Sequence, residues 1–201
     1  MRGVEHIGGL YDAGCWIVER FGLKRWREWL VGGARGRTLE VGVGTGRNLP
    51  LYRDPRQVIA IDPDASLLRS ARGRAPDVRL VAARVEALPF RDDAFDTVIS
   101  SLVFCSVTDP AAGLAELQRV LRDDGELRML EHVRARSRTL AWAQDRIQPL
   151  WTRAMGGCHP NRDTEGAIVR AGFQVIPGSR AERGALRRFV AIPRGGRPRT
   201  G

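Results

Sequence analysis

Short apolar runs alternate with stretches of helical periodicity along most of the chain. The apolar runs cover residues 38–43, 58–62, 78–82, 96–100, 126–131, 173–176 and 188–192. Strands this short and this apolar are typical of a sheet that helices cover on both faces, because neither strand face reaches water. The pattern therefore predicts an α/β fold built on a doubly wound, mostly parallel sheet.

Aspartates mark the predicted helix starts between these strands. They are Asp64, Asp109 and Asp163. An aspartate at this position caps the first free amide groups of a helix. After Asp109, Pro110 suits the first helical turn, and leucines recur at helical spacing up to Leu121. We expect this helix to end before a turn at Gly125.

The aromatic residues are concentrated outside the predicted strands. Residues 11–30 and 140–155 together contain all the tryptophans, which are Trp16, Trp26, Trp29, Trp142 and Trp151. In residues 140–155 apolar groups surround most of the helix, and Pro149 predicts a kink. We expect the two segments to form a cover over a cleft, with Tyr11, Trp142 and Trp151 facing a substrate. Ordinary helix packing against the sheet is the alternative.

Length and composition predict one domain. The chain has 201 residues, of which 43% are hydrophobic. We divide it into a helical cover (1–35), a core (36–192) within a single domain (1–194), and a flexible tail (195–201). The 3 cysteines are too few for a disulfide framework, and no signal-like segment opens the chain, which favours a reducing, cytoplasmic location. No apolar run approaches the ~18 residues of a membrane span.

The net charge of +10 has a simple origin. Lys24 is the only lysine, so the basic residues are almost all arginines spread over the chain. Only residues 180–199 are locally basic, and a solvated tail explains them better than a nucleic-acid arm. We therefore expect no nucleic-acid partner.

Three glycines between the first strand and the following helix carry the clearest chemical signal. They are Gly42, Gly44 and Gly46. Glycine lets the backbone turn tightly and approach a ligand, and helix amides there suit an anionic group. The next strand ends in Asp62, whose carboxylate suits the two hydroxyls of a ribose. Arg47 stands where the dinucleotide pattern G-x-G-x-x-G needs its third glycine. A tight turn followed by a helix-capping aspartate is the structural alternative.

Residues 36–192 resemble class I S-adenosylmethionine-dependent methyltransferases. ALPF (87–90), FDTVIS (95–100) and ELQRVLRDDGEL (116–127) are similar to motifs of the ubiquinone-type and phospholipid-type members. LVFCSV (102–107), EHV (131–133), QPLWTRAMGGCHPNRDT (148–164) and AGF (171–173) resemble the thiol S-methyltransferases of the endoplasmic reticulum and their bacterial relatives. The resemblance implies a Rossmann-like, seven-stranded sheet with a helical insertion after the fifth strand, and S-adenosylmethionine at the carboxyl ends of the strands.

The resemblance also implies roles by position. The glycines would line the methionine moiety, Asp62 the ribose, Pro63 the adenine edge, and residues 100–102 the floor beneath the sulfonium. Where the family often has an aspartate for the adenine amino group, this chain has Arg84. Glu86, or the backbone of Arg84 and Val85, would replace it. The candidate cofactor-binding residues are Glu40, Gly42, Gly44, Gly46, Asn48, Asp62, Pro63, Arg84, Val85, Glu86, Ser100 and Leu102.

Methyl transfer from a sulfonium chiefly requires alignment of the reacting atoms and exclusion of water. A thiol with a pKa near ~8.5 is partly ionised at neutral pH and needs little help from a base. His132 is the candidate base or orienting group, with a hydrogen bond to a loop as the alternative. Glu131 would bind a substrate amine or fix the loop.

The remaining candidate for the acceptor site is Cys105, in the loop after the fourth strand. It would be either reactive near the methyl group or inert packing. Cys158 and His159 are adjacent, but Cys105 is distant in sequence, so the spacing does not predict a zinc site and we expect no metal.

Three classes of function follow from these observations. The first is methylation of a small molecule, a thiol above all. The second is methylation of a phospholipid or quinone, with peripheral contact to a membrane surface. The third is a non-enzymatic nucleotide- or RNA-binding protein. The sequence does not determine the oligomeric state.

Overall fold

The computed structural model describes residues 23–154 and 157–195. The described helices are α1 (Lys24–Gly32), α2 (Ala65–Arg74), α3 (Pro110–Val120), α4 (Arg138–Ala154) and α5 (Thr164–Arg170). The strands are β1 (Thr38–Val41), β2 (Val58–Asp62), β3 (Arg79–Ala82), β4 (Phe95–Ser101), β5 (Leu121–His132), β6 (Phe173–Val175), β7 (Ala181–Arg183) and β8 (Leu186–Pro193). Tyr11, Trp16 and residues 196–201 lie outside the described residues.

The strands form one mixed sheet in the order β3-β2-β1-β4-β5-β8-β6. β1 to β5 are parallel, and β8 runs antiparallel to β5. β6 and β7 pair with two halves of the same edge of β8 and are separated by a turn at Pro177–Ser179. The predicted Rossmann-like, mostly parallel sheet is confirmed, and its seventh position is shared by two short strands.

β5 begins earlier than the sequence predicted. α3 ends at Val120, and Leu121 already pairs with Phe95 of β4. The next pair is Thr97 with Glu126, so extra residues of β5 bulge out between the two pairs. The predicted turn at Gly125 is therefore an irregularity within the strand.

Alternate residues of the central strands face two helical layers. Val98 and Leu127 belong to the cluster that contains Leu114 of α3 and Ile168 of α5. Ile99 and Leu130 pack with Leu30 of α1 on the opposite face. The described part of the predicted helical cover is thus a helix packed on the sheet, where its apolar side chains leave water.

Arg128 fastens α1 to β5. Its guanidinium donates to the carbonyls of Leu30 at 2.7 Å and Trp29 at 2.8 Å and lies over the Trp29 ring. These are the free carbonyls at the carboxyl end of a helix, where a cation is favoured. These contacts of Arg128 fix the position of α1 against β5.

α4 packs over the carboxyl end of β5 on one side only. Ala141 and Gln144 are buried, whereas Trp142, Ile147 and Leu150 are 61%, 53% and 72% exposed. The predicted helix is confirmed and continues through Pro149. These three apolar side chains of α4 are therefore largely exposed instead of packed in the core. Across residues 23–154 and 157–195, no helix has the length and apolar character needed to cross a membrane.

Candidate active site at the carboxyl ends of the strands

The glycine loop follows β1, and its three glycines have positive φ angles, in the left-handed region. Gly44 has φ +55° and a side chain built on it meets nothing within 4 Å, so this part of the backbone borders open space. Gly46 has φ +82°, and a Cβ there would lie 2.9 Å from the Cα of Ala71 in α2. One glycine therefore keeps the cleft open and the other lets α2 approach the loop.

Asp62 connects the glycine loop to the end of β2. Its carboxylate accepts hydrogen bonds from the amides of Gly44 and Asp64, each at 2.9 Å. Burial raises the pKa of Asp62, and these two amide bonds oppose the rise. A carboxylate has about four acceptor sites. Both oxygens can therefore still accept hydroxyl groups from the open space beside Gly44, which is the chemistry a ribose requires.

A buried polar network lies beneath the loop. Glu40 accepts hydrogen bonds from Asn48 at 2.9 Å and from the Tyr52 hydroxyl at 2.8 Å, and Arg27 of α1 donates to Asn48 at 2.8 Å. Burial raises the pKa of Glu40 to about 7. Glu40 and Asn48 thus brace the loop from within the protein. Sequence reasoning missed Arg27 and Tyr52, because nothing local in the sequence marks them as partners of Glu40.

Arg84 is held by polar groups at the edge of the cleft. Its guanidinium donates to Glu86 at 3.1 Å and to Thr108 at 3.2 Å, while Val85 is buried. Pro63 is exposed after β2. The carboxylate of Glu86 is therefore engaged by Arg84, which leaves the exposed side of Pro63 and the backbone of residues 84–86 as the groups that border the predicted adenine position.

The end of β4 carries an unusual backbone conformation. Leu102 has φ 62°, although it is not a glycine, and its amide donates to Leu130 at 2.7 Å. Such strain is concentrated at functional sites. Ser100 and the Val103 amide donate to the buried Glu131 at 2.7 and 3.1 Å. Burial raises the pKa of Glu131 to about 7. Of the two predicted roles for Glu131, the contacts support fixing the loop.

Cys105, His132 and Cys158 meet beyond the ends of β4 and β5. One ligand atom from each, two thiol sulfurs and an imidazole nitrogen, lies within 4.8 Å of the other two. The Cys158 sulfur is 3.8 Å from His132 Nδ1, and Trp151 packs edge-on against the His132 ring. The contact with Cys105, and then the one with His132, lowers the pKa of Cys158, whereas the contact with Cys158 and burial raise that of Cys105.

Several polar side chains hold the loops around this cluster. Arg162 donates to the carbonyls of Phe104 and Val107, each at 2.7 Å. Gln144 of α4 donates to the carbonyls of Val133 and Pro160. These bonds tie together the loops after β4, β5 and α4. Neither residue was a sequence candidate, because their function depends on carbonyl groups that the sequence does not distinguish.

The predicted acceptor residues are only partly brought together. Cys105, His132 and Trp151 lie side by side. Trp142 is exposed on the outer side of α4 beneath Arg146, and its contact with a substrate stays a prediction. Tyr11 lies outside the described residues. The fold brings Cys105 close to Cys158, a proximity that the spacing of the two residues in the sequence did not predict.

Two arginines of the basic segment near the carboxyl end are paired with carboxylates within the fold. Arg187 donates to Glu165 at 2.6 Å and to Glu182 at 3.3 Å, and Arg180 pairs with the same two carboxylates. Arginines engaged in this way are less available to phosphates. The geometry gives no support to the RNA-binding alternative at these positions.

Comparisons with known proteins agree with this architecture. Residues 39–129 match the family model described as a methyltransferase domain. The thiol S-methyltransferase TMT1B of Rattus norvegicus is 33% identical over 147 residues, 69% of this chain and 60% of that protein. The demethylmenaquinone methyltransferase of Renibacterium salmoninarum is 34% identical over 132 residues, 63% of this chain and 56% of that protein. This chain thus spans 60% or less of the length of these two curated relatives.

A solved structure of a similar fold covers nearly the whole chain. It is the S-adenosylmethionine-dependent methyltransferase from Thermotoga maritima, with a TM-score of 0.73, 21% identity, and coverage of 95% of this chain and 98% of that one. This likeness concerns the fold. Together with the matched family model, the sequence relatives and the geometry of the glycine loop, it identifies the chain as one that carries an S-adenosylmethionine-dependent methyltransferase domain.

Proposed function

We propose that this protein transfers a methyl group from S-adenosylmethionine to the sulfur of a small, uncharged thiol. The part of the proposal that concerns the methyl donor rests on the open space beside Gly44, next to the Asp62 carboxylate. The part of the proposal that concerns the acceptor rests on three residues at the same edge of the sheet, Cys105, His132 and Trp151. Similarity to a thiol S-methyltransferase over 69% of the chain supports the same substrate class.

The protein's part in the donor site is to bind and orient. Gly44 and Asp62 would hold the methionine and ribose parts, and residues 63 and 84–86 would border the adenine. S-adenosylmethionine supplies an activated methyl group on a positively charged sulfur. β4 pairs with β1, so Leu102 at the end of β4 lies on the same side of the sheet as the glycine loop. Strand order reverses between these two strands, and open α/β sheets bind ligands at such a point.

The acceptor site presents mostly soft and apolar groups. In the reaction, the acceptor sulfur loses its proton and its lone pair forms a bond to the methyl carbon. The bond from carbon to the sulfonium sulfur breaks, and its electron pair stays on that sulfur. His132 is half-buried at this edge of the sheet, where it would orient the acceptor or assist the loss of its proton. A thiol needs less such assistance than an alcohol because its pKa is near ~8.5.

A competition between acceptors tests this proposal. With labelled donor and equal concentrations in one reaction, we expect an alkyl or aryl thiol to be methylated at least about 10-fold faster than a catechol or phosphatidylethanolamine. The physical reason is the larger ionised fraction of the thiol at neutral pH. The proposal fails if phosphatidylethanolamine is methylated while every thiol is inert.

A second candidate function is methylation of a lipid or quinone at a membrane surface. The exposed side of α4 carries Trp142, Ile147 and Leu150 next to Arg146 and Arg153. Apolar side chains flanked by arginines are typical of helices that lie on anionic membranes. The similarity to a demethylmenaquinone methyltransferase supports this candidate as well.

Sedimentation with lipid vesicles distinguishes the second candidate. If α4 contacts the membrane, the protein should pellet with phosphatidylglycerol-containing vesicles, and Leu150→Glu should reduce the bound fraction several-fold. Val169→Glu is the matched control, because Val169 is an exposed apolar residue of α5. Equal binding of both variants, or no binding of the unmodified protein, would exclude this role for α4.

A further inference from the structure

The cluster of Cys105, His132 and Cys158 has a composition that the methyl transfer itself does not require. Two thiols and an imidazole come from three separate parts of the chain: the loop after β4, the end of β5 and the loop after α4. Cys105 and Cys158 are 1% and 7% exposed, and both are free thiols.

We propose that Cys105, His132 and Cys158 bind one zinc ion whose fourth coordination position takes the acceptor thiol. This inference rests on the proposed function, and it names the group that holds the substrate sulfur. Zinc prefers cysteine sulfur and histidine nitrogen in tetrahedral geometry. Catalytic zinc sites have three protein ligands and leave the fourth position for water or substrate, and two cysteines with one histidine are such a set.

The distances agree with this assignment. In a tetrahedral site with zinc–sulfur bonds near 2.3 Å and zinc–nitrogen bonds near 2.0 Å, ligand atoms are separated by about 3.5 to 3.8 Å. The Cys158 sulfur and His132 Nδ1 are 3.8 Å apart, and all three atoms lie within 4.8 Å of one another. The largest of these separations exceeds the tetrahedral value by no more than about 1.3 Å, an adjustment within the reach of side-chain rotation.

The loops that carry the ligands are held independently of any metal. The amide of His159 donates to the carbonyl of Cys105 at 2.7 Å, and the Thr152 hydroxyl donates to the carbonyl of Cys158 at 2.9 Å. Arg162 and Gln144 add the carbonyl contacts already described. A preorganised ligand set loses less conformational freedom on binding, which favours a specific site over an adventitious one.

The open position suits a thiol. His132 is half-buried, whereas both cysteines are buried, so a fourth ligand would approach from the side of the imidazole. Trp151 lies edge-on to the same ring and gives the approach an apolar wall. A thiol that coordinates zinc is deprotonated. The ion would therefore stabilise the nucleophilic form of the substrate, and His132 would act as a ligand instead of a free base.

Metal content and cobalt substitution test the inference without relying on activity. The full chain, purified without chelator and then dialysed, should contain one equivalent of zinc by mass spectrometry. Cobalt-substituted protein should show a cobalt–thiolate charge-transfer band, and added 2-mercaptoethanol should change it by filling the open position. Cys158→Ser and His132→Ala should weaken metal binding by more than about 100-fold, because each removes one of three ligands.

His159→Ala is the matched control. Its Nδ1 contacts the carbonyl of Gly157 at 2.7 Å, outside the cluster, so this variant should keep the metal. The zinc site is excluded if the folded protein binds neither zinc nor cobalt through thiolates, or if Cys158→Ser binds them as tightly as the unmodified chain. A disulfide between Cys105 and Cys158 whose reduction restores no metal binding would also exclude it. Thiol methylation without metal would overturn this inference alone, whereas bound metal with every thiol inert would overturn the proposed function.

Discussion

Replacing Asp62 with alanine is expected to weaken binding of S-adenosylhomocysteine by at least about 100-fold. Two hydrogen bonds from the ribose to a charged group are worth about 1.5 to 3 kcal/mol each, and the substitution removes both. It also releases the Gly44 amide, which Asp62 holds at 2.9 Å. Calorimetric titration measures the affinity, and circular dichroism shows whether the variant is folded.

Asp54→Ala is the control for this experiment. Asp54 is also an aspartate that accepts a backbone amide, from Arg56, but it lies in the exposed loop before β2. It should bind the cofactor product normally. Unchanged affinity in a folded Asp62→Ala protein would contradict the proposed cofactor site. Tighter binding of NAD than of S-adenosylhomocysteine would contradict it too.

Gly44→Val should abolish measurable cofactor binding while the protein stays folded. The new side chain would project into the open space of the cleft, where nothing of the protein lies within 4 Å. The positive φ adds a strain of about 1 to 2 kcal/mol, which a folded domain of this size tolerates. Titration with S-adenosylhomocysteine and thermal unfolding measure the two effects separately.

Gly184→Val separates strain from obstruction of the cleft. Gly184 has φ +61° and also has nothing within 4 Å of a built Cβ, but it lies in the turn between β7 and β8. It should lose a similar amount of stability and keep its cofactor affinity. If both variants bind equally well, the space beside Gly44 is not the cofactor site.

Local sequence patterns were sufficient to predict most of the strands of the sheet and the candidate residues of the donor site. The strands around Asp62 and the glycine loop were predicted because an apolar run between helices requires burial on both faces, and a glycine turn has few alternatives. The helix starts at Asp64, Asp109 and Asp163 were predicted for the same kind of reason. In each case the side chain bonds the adjacent amide groups. The division of the chain into one domain and a tail stays a prediction.

The errors concern features whose cause is distant in the chain. Leu121 reads as the last turn of a helix, but pairing with Phe95 makes it part of a strand. The sequence also did not show that Trp142 lies on the exposed side of α4, because the buried side of that helix is formed by Gln144 and Ala141. Spacing within one segment does not show which side of a helix meets the rest of the fold.

The sequence by itself determined the α/β class, the glycine loop and the acid at the end of β2, because these depend on residues within a few positions of one another. Only the tertiary structure decided that Glu40 is braced by Arg27 and Tyr52, and that Cys105, His132 and Cys158 share one site. Parallel strands bring their carboxyl ends to one edge of the sheet, whatever the length of chain between them. Residues 105 and 132 therefore become neighbours through strand order, and α4 brings residue 158 back to the same edge, which no local pattern contains.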